Sequence, residues 1–187
     1  MHTLFIEDEI KYIGTQLSPH WIYKNFNIMG NAIVSFIGEC EVELSHMVDI
    51  EDVVNNEPIY SKKMLSFIEE NFNSSLVEMV YKQRLLVTIT KELIEQKNPS
   101  VKIVRSGDDL FVNGKKLSVS IATKSITSSL IHFGLNIDAE GAPVKAADLV
   151  SDAGIIDIRE FALEIMNTYA QEINDISLAA CKVRGVV

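Results

Sequence analysis

The chain reads as an α+β protein with a mixed or antiparallel sheet and its helices mainly on one face. Three observations carry that reading. Two long segments, 74–96 and 157–175, place apolar residues at helical spacing. The strand-like segments fall in groups between them, so that neighbours pair locally. Asn113-Gly114 lies between two alternating runs. That is the strongest short-range hairpin signal, because a type I′ turn needs positive φ at both central residues.

Taken in order, Glu9 to Leu17 reads as a short strand. Ser18 then serves as N-cap and Pro19 as the first position of a short helix reaching about Ile28 and ending at Gly30. Ala32 to Phe36 and Cys40 to Leu44 read as two strands. His46 to Pro58 is polar, acidic and irregular, and is expected to be a long surface loop near the site. Met64 to Phe72 alternates like a strand. In 74–96, Leu76, Met79, Val80, Leu86, Ile89 and Leu93 make an apolar stripe that Ser74 or Ser75 can cap. Val101 to Val104 is a strand leading into the hairpin. In 157–175, Phe161, Ile165 and Tyr169 form the stripe.

The two-residue turn fixes the hairpin register. It pairs Val112 with Lys115, Phe111 with Lys116, Leu110 with Leu117 and Asp109 with Ser118. Side chains alternate between faces. Leu110, Val112, Leu117, Val119 and Ile121 therefore share an apolar face, and Asp109, Lys116, Ser118 and Ser120 share a polar one. The next strand repeats the division, with Ile131, Phe133, Leu135 and Ile137 opposite His132, Gly134 and Asn136. The two polar stripes merge into one site if the connection between the strands holds an odd number of residues, for which Thr123 to Thr127 would serve.

Lys116 is the candidate catalytic group. A lysine fixed in a sheet is a point charge with three donors, suited to a carbonyl or phosphate oxygen. The alternative is a cross-hairpin pair with Asp109, worth ~0.2–1 kcal/mol. Lys115 falls on the other face beside the turn and snorkels to solvent. Asp109, Ser118, Ser120, His132, Gly134 and Asn136 are the candidate substrate-binding residues. Gly134 would allow close approach of a ligand, and Asn136 could read an amide or ribose. No metal site is expected. His46, Asp49, Glu51 and Asp52 are hard ligands, but their spacing matches no cage. Acidic neighbours hold Cys40 as a poor nucleophile.

At 187 residues the chain is expected to form a single domain, 1–187, large enough to bury a core without staples. A net charge of −9 argues against nucleic acid or an anionic membrane as partner. The two cysteines, Cys40 and Cys181, suggest neither a disulfide framework nor a zinc site. No stretch combines a basic start, an apolar core and a small-residue cleavage site, and none approaches a membrane span. The expected setting is the cytoplasm.

The run Asp-Leu-x-Val-Asn-Gly-x-Lys-Leu-Ser-x-Ser at 109–120, followed by His132-Phe-Gly-Leu-Asn136, resembles the catalytic core of biotin and lipoate protein ligases and octanoyltransferases. Those enzymes carry a "D-L-x-x-x-G-x-K" hairpin whose lysine Lys116 matches, and an H-G-x-x-L-N strand that here is one residue shorter. The resemblance is specific over about residues 75 to 137. Over its whole length the chain also resembles a small family of unknown function placed in that superfamily. The resemblance implies a class II aminoacyl-tRNA synthetase-like fold, with Lys116 lying against an acyl carbonyl and phosphate. It implies ATP or an adenylate as cofactor, and a small carboxylic acid or nucleotide as partner. Two features depart from the pattern. Residues 43–62 contain no Gly and no Arg, so a phosphate-cradling loop lacks its means. Residues 137–155 contain no Cys, so an acyl-accepting thiol is missing there. Two functions follow. One is a nucleotide- or acyl-dependent ligase or transferase with an altered phosphate loop. The other is a non-catalytic module that keeps the pocket for a small molecule and has lost adenylation.

Overall fold

The computed structural model describes residues 1–142 and 144–186. Its main sheet has five strands in the order β1-β2-β3-β8-β7. These are β1 His2–Phe5, β2 Ala32–Val42, β3 Ile59–Asn71, β7 Ser118–Lys124 and β8 Ser129–Asp138. The β1–β2 pair is parallel and the other pairs are antiparallel, so the sheet is mixed. A second sheet holds β4 Ile103–Ser106, β5 Asp109–Val112 and β6 Lys115–Lys116.

Two long helices, α3 Leu76–Lys97 and α4 Ile158–Cys181, cover one face of the main sheet. Their stripes meet Ile33, Leu65, Phe67, Ile131, Phe133 and Leu135. A full capping box starts α3: the Ser75 hydroxyl accepts from the Glu78 N–H at 3.2 Å, and the Glu78 carboxylate accepts from the Ser75 N–H at 2.5 Å. The other face carries the short helix α1, Trp21–Phe26, and the N-terminal segment, packed on Ala32, Val34, Phe36, Met64 and Ile68. Cover on both faces explains why β2, β3 and β8 are nearly continuously buried and lack clean alternation.

The N-terminal third differs from the sequence expectation. The first strand is His2–Phe5, and Glu9 to Leu17 is irregular. Ile10 and Tyr12 reach β2 singly, through Ile10 N–H to Ile37 O at 3.0 Å and Tyr12 N–H to Glu39 O at 2.8 Å. Gly38 lets that segment lie close, since a Cβ there would overlap the Ile10 carbonyl. The 32–44 region is one strand with an irregularity at Gly38–Cys40, not two strands. Ser18 does not cap α1. His20 occupies that position at φ 63°, held by its N–H donating to the buried Glu70 carboxylate at 2.8 Å. The helix stops at Asn27, itself left-handed, before Gly30 is reached.

The expected loop 46–58 contains structure as well. A 3-10 turn spans Leu44–His46, and a six-residue helix, α2, spans Ile50–Asn55. The Asp49 side chain caps α2 by accepting from the Glu51 N–H at 2.8 Å, and Asn56 closes it in a left-handed conformation.

The first hairpin forms in the expected register. Asn113 (φ 51°) and Gly114 (φ 76°) make the turn, and Val112 faces Lys115 as Phe111 faces Lys116. Beyond Lys116 the pairing ends. The Leu117 N–H still donates to Leu110 O at 2.8 Å, while the Leu117 carbonyl accepts from the Asn136 N–H at 3.0 Å in the main sheet. Ser118 pairs with Leu135 and not with Asp109, and its hydroxyl takes the Leu110 N–H at 2.9 Å.

A buried polar cluster lies on the helix face. The Glu69 carboxylate accepts from the Tyr169 hydroxyl at 2.8 Å and from the Asn71 side-chain amide. The Lys82 ammonium donates to Asn71 Oδ1 at 2.8 Å. Burial pushes the Glu69 carboxyl up to about 7 despite these donors.

Candidate functional site

A cavity of about 540 Å³ opens over the sheet face opposite α3 and α4. Tyr12, Met64, Val119, Ile121 and His132 provide its apolar and aromatic lining. The 43–58 segment walls one side through His46, Asp49, Glu51, Asp52 and Glu57, and the hairpin end supplies Asp108, Asp109 and Lys116.

The second hairpin does not have the expected register. Lys124 pairs with Ser129, leaving a four-residue connection, Ser125–Ser128, closed by the Ser125 N–H on Ser128 O at 2.8 Å. An even connection puts Val119 beside Gly134 and Ile121 beside His132. Ser118 and Ser120 therefore alternate with Leu135 and Phe133 toward the helices, on the face opposite His132 and Asn136. The Ser125 side chain dictates this tight turn, since its oxygen accepts from both the Thr127 and the Ser128 N–H. Ser118 and Ser120 still border the cavity. The Ser120 hydroxyl donates to Asp108 Oδ2 at 2.9 Å, which also accepts from Gln83 at 2.8 Å.

Lys116 lines the cavity, with its ammonium 3.0 Å from Asp109 Oδ2. This is the cross-hairpin pair weighed from the sequence. Burial raises the Asp109 carboxyl and Lys116 pulls it back. Lys115 turns away to Asp152 at 2.9 Å.

Asn136 borders the cavity, but its amide donates to the carbonyls of Ala147, at 3.1 Å, and Lys116, at 3.4 Å. It staples the 145–147 segment to the hairpin. The space beside Gly134 is filled by the Met64 sulfur, which a Cβ would overlap. His132 is 2% exposed and stacks on Tyr12 at 3.7 Å between ring centroids. Its Nε2 lies 3.4 Å from the Ser66 hydroxyl. Burial depresses its pKa to about 3, so the ring is neutral at ordinary pH.

Several site residues were not read from the sequence. Asp108 also faces Arg84 at 2.9 Å. Gln83 and Arg84 belong to α3, and Gln83 sits four residues after Met79 and three before Leu86. A polar residue in an apolar stripe was the available signal. Tyr12 had none, because it enters through the fold, whereas the acidic 46–58 segment with Asp49, Glu51 and Asp52 was expected beside the site and lines it.

The family model described as "Domain of unknown function (DUF366)" matches residues 1–184. The chain belongs to the DUF366 family. This DUF366 chain is 39% identical over 181 residues to an uncharacterized Methanocaldococcus jannaschii protein, MJ0805, a match covering 94% of the chain and 81% of the relative. A protein of unknown function from Pyrococcus horikoshi has the same structure at a TM-score of 0.92 and 38% identity, covering 100% of this chain and 99% of that one. The fold is also that of the biotin and lipoate ligases. The Aquifex aeolicus biotin protein ligase in complex with biotin and ATP superposes at a TM-score of 0.61 and 14% identity, covering 92% of this chain and 70% of that one. A T. acidophilum protein provisionally assigned as a lipoate protein ligase, with bound lipoic acid, gives 0.60 and 11%, covering 93% and 86%. No helix among the described residues is long and apolar enough to cross a membrane.

Proposed function

We propose that the cavity beside Lys116 holds a small organic molecule, and that the chain is a binding module on a ligase-like core that does not adenylate. The carrying observation is the charge of the lining. Asp49, Glu51, Asp52, Glu57, Asp108 and Asp109 face it with Lys116 as the one Lys or Arg among the described lining residues. A triphosphate needs donors and positive charge around it. Lys116 is already paired with Asp109 and Arg84 with Asp108, which leaves the other four carboxylates without an offsetting charge. Relatives in fold supply the small-molecule part of the reading, since two of them hold biotin with ATP and lipoic acid.

Lys116 in the cavity wall is what favours the competing reading, a nucleotide- or acyl-dependent ligase or transferase. ATP–pyrophosphate exchange in the presence of biotin, lipoate or octanoate separates the two. No exchange is expected from the folded chain. Acid-dependent exchange that Lys116→Ala abolishes would establish the ligase instead.

A further inference from the structure

We infer that the ligand of this cavity is a small organic cation, an amine or guanidinium compound with a compact apolar or aromatic body. The inference rests on the proposal that the cavity holds a small molecule. It adds the chemical class, which is opposite in charge to the carboxylic acids expected from the sequence.

Two of the six lining carboxylates have partners, Asp108 with Arg84 and Asp109 with Lys116. The other four, Asp49, Glu51, Asp52 and Glu57, come from α2 and its flanks and make no ion pair among the described residues. Asp49 is spent on capping α2. Glu51, Asp52 and Glu57 are left as an unbalanced negative wall. Desolvation and the neighbouring Asp49 both raise the Asp52 carboxyl, and Lys116 only partly reverses that. A cation entering the cavity relieves this repulsion, and an anion adds to it.

The second observation is independent of charge. Tyr12 is 3% exposed and borders the cavity, yet its hydroxyl has no hydrogen-bond partner among the described residues. The neutral His132 ring stacked on it lies with Nε2 3.4 Å from the Ser66 hydroxyl and holds the Tyr12 ring in place. The Tyr12 hydroxyl is the polar end of an otherwise buried ring left open on the cavity wall, where it can accept from a ligand N–H. Met64, Val119 and Ile121 on the same wall give the apolar body of such a ligand its contacts. No three His, Cys, Asp or Glu side chains among the described residues converge closely enough to hold a metal ion. The negative charge is spread along a wall, which suits an extended organic cation.

The test uses the full chain, thermal unfolding and calorimetric titration. The probes are phenethylamine, agmatine and spermidine, against 3-phenylpropionate, biotin and lipoate. At least one amine is expected to raise the unfolding temperature, with an affinity that falls as salt is added. The Glu51→Gln, Asp52→Asn double variant should weaken that amine roughly tenfold or more, and Tyr12→Phe should weaken it as well. Lys116→Ala removes a competing like charge and should strengthen it about two- to fivefold. Lys115→Ala, on the far side with Asp152, is the control. If the carboxylates bind and the amines do not, the charge class is wrong and the small-molecule proposal stands. If amines bind but the acidic double variant leaves their affinity unchanged, the site is wrong. If no probe shifts the unfolding temperature or slows amide exchange in 43–58, both readings fall.

Discussion

Tyr12 stacks on His132 with ring planes 14° from parallel, joining the irregular N-terminal segment to the centre of the sheet. The stack closes the imidazole off from water. The unfolded chain protonates His132 near 6.5, whereas the folded chain resists until about 3. Stability should therefore fall as pH drops from about 6.5 toward about 3, with a slope of at most about 1.4 kcal/mol per pH unit from this group. The imidazole resonances should stay neutral-form through that range until the protein unfolds. A His132 titration near 6.5 in the folded state would contradict the burial.

Glu69 acts in the opposite sense. Its carboxyl is held up to about 7 against an ordinary 4.5, so the folded chain keeps a proton that the unfolded chain has released. Its contribution to stability is lost as pH rises through that window. Glu69→Gln keeps a partner for both Tyr169 and Asn71 and cannot ionise. The variant should gain on the parent as pH rises from about 4.5 to about 7, by up to about 1.4 kcal/mol per pH unit. Denaturant midpoints of the pair across pH measure the difference.

Two glycines make a ranked pair. A Cβ on Gly38 meets the Ile10 backbone, and one on Gly134 meets the Met64 sulfur. Backbone held in a sheet contact cannot move aside, whereas a methionine tip can. Gly38→Ala should cost about 3 kcal/mol or more and Gly134→Ala about 1–3 kcal/mol. Chemical denaturation of both variants gives the order, and the reverse order would refute the packing argument.

The capping box makes Ser75→Ala informative. Loss of the side-chain acceptor for the Glu78 N–H should cost about 0.5–2 kcal/mol. Ser74→Ala is the comparison, since Ser74 accepts from Lys82 at 2.9 Å and does not cap the helix. A larger loss from Ser74→Ala in equilibrium unfolding would place the cap one residue earlier.

Helix α2 should exchange fastest among the internal helices. It spans six residues, and its Ile50 and Val54 are 71% and 77% exposed, too little burial to hold a short helix. Amide exchange over 43–58 should be rapid in the free chain and slower with a cavity ligand. Protection of these amides equal to that of α3 in the free chain would show the wall to be rigid.

What the sequence made legible was local. Asn113-Gly114 names its own turn, Ser74-Ser75 marks a helix start without choosing between the two serines, and the stripe from Met79 to Leu93 names its helix. Tertiary bonds were not legible. His20 takes a helix-capping position because Glu70, fifty residues on, accepts its N–H. Ser118 and Ser120 turn toward the helices because Ser125 tightens a turn that alternation cannot count. Within the candidate site, Lys116 and Asp109 were readable from hairpin register alone. Tyr12, Asp108 and the α2 carboxylates arrive from separate segments, and only the fold brings them together.

Leu117 hands its amide to one sheet and its carbonyl to the other. The hairpin carrying Lys116 is thus not an appendage that can flap on its own. Any tug on that lysine runs through a single residue into the Leu110 carbonyl on one side and the Asn136 amide on the other. Backbone NMR should register events at the cavity rim as paired shifts, at the amides of Leu117 and Asn136 together, so that the joint reports occupancy from inside the scaffold.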